Sequence, residues 1–279
     1  MGLIDAEARP VVRAVIDEIK ERLPQYMMVR EQFFSLLHIS KESQEEGWTR
    51  PLEPPIPIEA IEFFEHKTGI RFPDGLRMFL SEIGSGAGRS WDDAGVGPEL
   101  GIVSVKIEDD ACIVLGEDIS EPLSQPFPFT EAYNTADWEE LHTRQKAWEA
   151  HYYEAFPPFR ISQEGKTEFV AYDQAEIEAY CEKSEPQGRR EYYDQLPFTG
   201  AMPICGIGCG DYYFVVVTGD AAGEVWVDYR DNWGGYEPVL DEDGSHIDFA
   251  KWYLQWLEEA TTDMRSTVAK AKGEGRPIP

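Results

Sequence analysis

The sequence predicts an α+β protein with mainly antiparallel strands. Amphipathic stretches of helical period lie near both ends of the chain, and the last third holds short apolar runs separated by glycine-bearing turns. A composition of 42% hydrophobic and 13% aromatic residues supplies a sizeable core, which excludes intrinsic disorder. With 279 residues the chain has room for one large domain or two small ones.

Over residues 5–22, Val11, Val12, Val15, Ile16 and Ile19, followed by Leu23, recur at helical spacing opposite Asp17, Glu18, Lys20 and Glu21. This pattern is an amphipathic helix that Pro24 is expected to end, because proline lacks the N–H an interior turn donates. Residues 26–38 are apolar and read as either strand or helix. Residues 40–57 are polar, then proline-rich, and read as a linker or boundary. A helix pair follows. Ile58, Ile61, Phe63 and Phe64 run to Gly69, a C-terminal stop, and Pro73 and Asp74 open a second helix carrying Leu76, Phe79, Leu80 and Ile83 as far as Gly84.

Residues 84–99, rich in Gly, Ser and Asp, read as a loop, and 100–107 and 111–115 as strands. Pro122, Pro126 and Pro128 fix an irregular stretch. Residues 137–155 read as a helix with Asp137 at its cap, and a second helix is expected within 173–195. Strands return at 201–207, 211–218, 223–230 and 236–240, with Thr218–Gly223 as a hairpin turn. Ser245 is expected to cap the last helix, with Asp248 as its capping-box partner. Phe249, Trp252, Tyr253, Trp256 and Leu257 form that helix's apolar stripe. The expected organisation is a helical extension at 1–50, one α+β domain over 55–262 with a helical insertion near 130–195, and a flexible tail at 263–279.

The chain holds 53 acidic and 25 basic residues, a net charge of −28. Such a surface repels phosphate backbones and anionic lipids, so neither nucleic acid nor membrane is an expected partner. A basic protein would be attracted quickly; the alternative is that the charge only maintains solubility. No apolar run approaches the ~20 residues of a membrane-spanning helix. Met-Gly-Leu-Ile-Asp-Ala-Glu lacks the positive region and apolar stretch of a signal peptide, and Cys112, Cys181, Cys205 and Cys209 are too few and scattered for a disulfide framework. A cytoplasmic address is expected.

Chemistry-bearing motifs are weak. Gly206-Ile-Gly-Cys-Gly210 precedes an apolar strand, not the helix N-terminus a phosphate loop requires, and reads as a tight turn. Cys205 and Cys209 lack two further ligands for zinc, and Asp241-Glu-Asp-Gly-Ser245 has its glycine too early for a calcium loop. No nucleophile sits beside a base. No catalytic residue, metal or cofactor is therefore expected. What remains is a binding surface: Trp91, Asp92 and Asp93 in the glycine-rich loop, and Asp228, Tyr229, Asp231, Asn232, Trp233 and Tyr236 around a hairpin end. Aromatics beside charge are typical of interface hot spots, although the same aromatics equally serve to fill a core beneath loops.

Three stretches carry a family resemblance. They are Ile58-Glu-Ala-Ile-Glu-Phe-Phe-Glu-His-Lys-Thr-Gly-Ile-Arg-Phe-Pro-Asp-Gly-Leu-Arg-Met-Phe-Leu80, the run from Leu196 to Gly219, and Gly223–Arg230 followed by Phe249–Leu257. In this order they resemble the SUKH superfamily, of bacterial immunity proteins and fungal cell-wall synthesis regulators, and Gln125-Pro-Phe-Pro-Phe-Thr130 is similar to its larger bacterial members. The resemblance spans residues 57–260 and leaves 1–50 unexplained, as a private elaboration or part of a partner-binding face. It implies a twisted antiparallel sheet with a helix pair and a closing helix packed against it. It also implies a non-catalytic immunity protein that occludes the active site or substrate channel of a cognate toxin, which the charge suggests has a basic face. The alternative is a regulatory or scaffolding protein like the cell-wall regulators.

Overall fold

The structure, a computed structural model, describes residues 8–37, 50–88, 96–133, 138–161, 166–184, 199–230 and 235–273. It divides into two compact units: Met1–Tyr133 with Phe198–Pro279, and Asn134–Pro197. The first contains helices α1 (Ala8–Leu36), α2 (Ile58–Thr68) and α3 (Asp74–Glu82), then strands β1 (Val105–Glu108), β2 (Ala111–Val114) and β3 (Glu117–Asp118) and the short α4 (Ser120–Ser124). The second contains α5 (Trp138–Ala155), β4 (Phe159–Ile161), β5 (Thr167–Phe169) and α6 (Gln174–Ser184). The chain then returns to the first unit for β6 (Ala201–Gly208), β7 (Asp211–Val216), β8 (Val225–Asp228), β9 (Tyr236–Pro238) and α7 (Phe249–Gly273).

The fold is α+β, with antiparallel pairing between every neighbouring strand of three sheets, β1-β2-β3, β4-β5 and β6-β7-β8-β9. In the four-stranded sheet Phe214 stands opposite Trp226, and Tyr212 opposite Asp228, which faces Tyr236. Directly opposed residues share a face, and so do alternate residues along a strand. One face therefore carries Tyr213, Val215, Val225 and Val227, and the other Tyr212, Phe214, Trp226, Asp228 and Tyr236. The first face meets α7, where Tyr213 lies 5.3 Å from Trp252, ring to ring. The helix pair closes the same core: Phe79 of α3 sits edge-on to Phe249 and Tyr253 of α7 at 5.2 and 4.7 Å. Burying each such side chain contributes roughly 1.5–3 kcal/mol.

Helix α1 departs from expectation, because it runs through Pro24 and includes the ambiguous segment 26–36. Tertiary packing overrides the proline. Ile16, Ile19, Tyr26 and Val29 are buried on one face, and Tyr26 contacts Trp256 at 5.1 Å. The pairs Arg22–Glu258, Gln25–Arg265 and Gln32–Lys272 advance together, so α1 and α7 run side by side in the same direction. This contact also corrects the expected flexible tail: α7 is helical to Gly273, with Val268 and Ala271 buried. Residues 1–7 and 274–279 lie outside the described residues.

The expected linker is likewise packed where it is described. Glu53 N donates to Gly86 O at 2.6 Å, Ile56 N donates to Leu80 O at 2.8 Å, and Ile56 is buried. The strand expected from residue 100 begins at Val105, with Ile102 and Val103 held only by isolated bridges. The cap of α7 is Asp248, whose Oδ1 accepts from the amides of Ala250 and Lys251 at 2.9 and 3.2 Å, while Ser245 donates to Asp243. Position decides: Asp248 immediately precedes the helix, where its side-chain oxygen reaches the first free amides, whereas Ser245 lies three residues further out. Asp137 lies outside the described residues; Asp173 caps α6 by accepting from Ala175 N at 2.9 Å.

Candidate functional site

The hairpin end singled out in the sequence resolves into an interior ionic clamp. The proline-rich segment at 125–130 crosses the outer face of the four-stranded sheet. Phe127 there contacts Phe214, Trp226 and Tyr236 at 5.5, 5.1 and 6.4 Å, and Phe129 stacks on Tyr133 at 4.3 Å. Its close approach demands a glycine at 200, where φ is +67° and a Cβ would lie 2.2 Å from Phe127 N. Asp228 and Tyr236 are thereby 2% and 3% exposed, so neither side chain is displayed to a partner. They fill a second core, the alternative to a binding surface for aromatics beside charge.

Asp228 accepts from Arg230 Nε at 2.9 and 3.0 Å, from its Nη2 at 2.7 Å and from its backbone amide at 3.0 Å. The guanidinium lies over the Tyr236 ring, 4.7 Å from its centroid. Burial opposes the charge of Arg230, but the bonds to Asp228 outweigh it and hold the group firmly protonated. Burial, followed by the neighbouring Asp228 charge, pushes the Tyr212 hydroxyl well above its ordinary range. This arrangement fixes the end of β8 and positions Tyr229, which is half-buried. Burial, then Glu237 and Asp211, raise the Tyr229 phenol. Trp91, Asp92, Asp93, Asp231, Asn232 and Trp233 lie outside the described residues.

An open groove of about 450 Å³ lies between the turn after β9 and α7, lined by Leu240, Asp241, Glu242, Gln255, Glu258 and Glu259. Four of its six lining residues are carboxylates. The turn folds back through the Leu240–His246 bridge, and Asp241 accepts from Lys251 Nζ and, at 2.8 Å, from Gln255 Nε2. The Lys251 bond, followed by the Glu242 amide, holds the Asp241 carboxyl below its usual range, so it stays ionised. Arg22 reaches Glu258 at 2.9 Å from α1. Among the described residues no three His, Cys, Asp or Glu side chains are grouped to hold a metal ion. The groove is suited to ammonium or guanidinium groups brought by another molecule.

Sequence reasoning passed over this groove. The available signal was the row Gln255, Glu258, Glu259 on α7 at i, i+3 and i+4, away from the apolar stripe. Asp241-Glu-Asp-Gly-Ser245 is the turn expected, but its return onto α7 depends on tertiary contacts. The tight β6–β7 turn is shorter than the 206–210 expected: Gly206–Gly208 complete β6, and Cys209, exposed at φ +54°, and Gly210 make the turn. Cys205 is buried, its thiol pushed up to about 12 chiefly by burial, and the same holds for Cys112. Neither is a reactive thiolate. Among the described residues no helix is long and apolar enough to cross a membrane.

Fold and groove together define an acidic α+β protein with a carboxylate-lined surface groove. No family model, curated protein or solved structure matches the chain.

Proposed function

We propose that the chain is a non-catalytic immunity protein that binds a toxin with a basic active-site face and occludes that site or its substrate channel. The observation that carries this reading is the net charge of −28. The carboxylate side chains of Asp241, Glu242, Glu258 and Glu259, which line the groove, offer it a place to act. The resemblance to the SUKH superfamily in three ordered stretches supports the same reading. Complementary fields speed encounter and exclude wrong partners, which suits an inhibitor that must intercept a toxin before it reaches its target.

The test is affinity capture from the native organism followed by co-expression with any stoichiometric partner that carries a toxin-like C-terminal domain. Rescue of growth is expected, and Glu242→Lys with Glu259→Lys should weaken the complex at least tenfold and abolish rescue. Undiminished protection by that double variant removes the groove from the interface, and absence of rescue by the natural chain overturns the immunity reading. A growth defect on deletion in cells without any such toxin gene would favour the regulatory alternative instead.

A further inference from the structure

The unit Asn134–Pro197 contains a second surface, chemically unlike the groove. In the ribbon β4–β5, Phe159 stands opposite Phe169, Arg160 opposite Glu168 and Ile161 opposite Thr167. Alternation therefore gathers Phe159, Ile161, Thr167 and Phe169 on one face and the Arg160–Glu168 pair, 3.2 Å apart, on the other. A two-faced ribbon ordinarily turns its apolar side to a core. Here Phe159, Ile161 and Phe169 are 57%, 79% and 76% exposed, with the two phenyl rings edge-to-face at 5.8 Å. Their exposed apolar area is on the order of 400 Å², a size at which surface patches mark interaction sites.

Charge selects the occupant. The chain carries −28 overall, so a second copy would bring like fields together. A patch this size is also about half of what each side of a stable protein–protein interface buries, so apolar contact alone would not hold two copies. A cationic partner gains attraction from the same field. We propose that this ribbon face docks an amphipathic, cationic segment of a protein partner, its apolar side covering Phe159, Ile161 and Phe169 and its lysines or arginines drawn by the net negative charge of the chain. The proposal rests on the reading that the chain binds a basic protein, and adds to it a docking face remote in sequence from the groove.

The probe is a labelled alternating peptide, (Lys-Leu)5, titrated with the full chain at low salt and followed by fluorescence anisotropy, with (Glu-Leu)5 as control. Saturable binding is expected for the lysine peptide alone. Phe159→Ser with Phe169→Ser should weaken it at least tenfold at an unchanged melting temperature, since both side chains are exposed. Equal affinity for the double variant would reduce the binding to charge alone and overturn the ribbon as the site. Equal binding of the glutamate peptide would overturn the cationic occupant. Sedimentation showing a dimer of the natural chain that the double substitution dissolves would assign the face to a second copy. Growth rescue is scored separately: ribbon-dependent peptide binding without rescue discards the toxin, and rescue without such binding discards the ribbon.

Discussion

At the scale of single residues, charge is placed by burial. Asp228 and Arg230 have side chains only 3% and 11% exposed, and their bidentate contact compensates for removing both from water. Asp228→Asn removes the buried carboxylate that Arg230 grips through Nε and Nη2, and should cost about 3 kcal/mol in urea unfolding. Glu82 behaves differently because it stays partly solvated. Arg13 grips both its oxygens at 2.7 Å, Lys20 adds a third contact, and Asp17 lies 3.7 Å from Arg13. The Arg13 bond, the largest influence, takes the Glu82 carboxyl down to about 2. A carboxyl lowered on folding stabilises fully above its unfolded value and loses that contribution as pH falls towards the folded one. Glu82→Gln should therefore cost about 1–2 kcal/mol at pH 7, after allowance for solvent screening, with the difference fading between about pH 5 and 2. Paired melts of the two proteins across that range would read it; a difference that persists unchanged at the acid end would reject the linkage.

At the scale of elements, local pattern and tertiary packing divide the credit. The Asp248 cap is a local bond, so Asp248→Ala should lower stability by ~1 kcal/mol, whereas Ser245→Ala should change it by less than ~0.5 kcal/mol. Thermal melts of the two variants would decide, and the reverse order would restore the capping box at Ser245. The helix pair, the β6–β7 turn and the apolar stripe of α7 were legible in the sequence because periodicity and glycine placement act over a few residues. Continuation of α1 through Pro24 was not, since it depends on Ile19, Tyr26 and Val29 meeting α7, more than two hundred residues away. The ribbon β4–β5 escaped for another reason: strands of three residues carry too little alternation to register. Of the binding residues read from the sequence, Asp228 and Tyr236 proved interior, because aromatic residues beside charge look alike on a surface and in a second core. The carboxylate groove was only half legible: the Gln255–Glu259 row shows in the sequence, but the turn at Asp241 meets it only in the folded chain.

At the scale of the whole molecule, two electrostatic effects oppose each other. Net charge of −28 makes the compact state repel itself more than an expanded chain does. Protonating exposed carboxylates relieves that repulsion, so stability should rise as pH falls from 8. The Glu82 cluster works the other way, because its contribution disappears below the unfolded carboxylate range. The melting temperature should accordingly pass through a maximum near about pH 5 and decline below it. Salt separates the two terms. At pH 7, raising NaCl to ~0.5 M shortens the screening length to a few ångströms, which should raise the melting temperature because long-range repulsion is screened more than close ion pairs. The same addition near pH 5 should do less, since fewer charges remain to be screened. A melting temperature that falls with salt at pH 7 would mean that the close pairs, Arg13–Glu82 and Arg22–Glu258 among them, outweigh the repulsion. In that case the negative surface is held at no cost to stability, and its persistence would call for no partner to offset it.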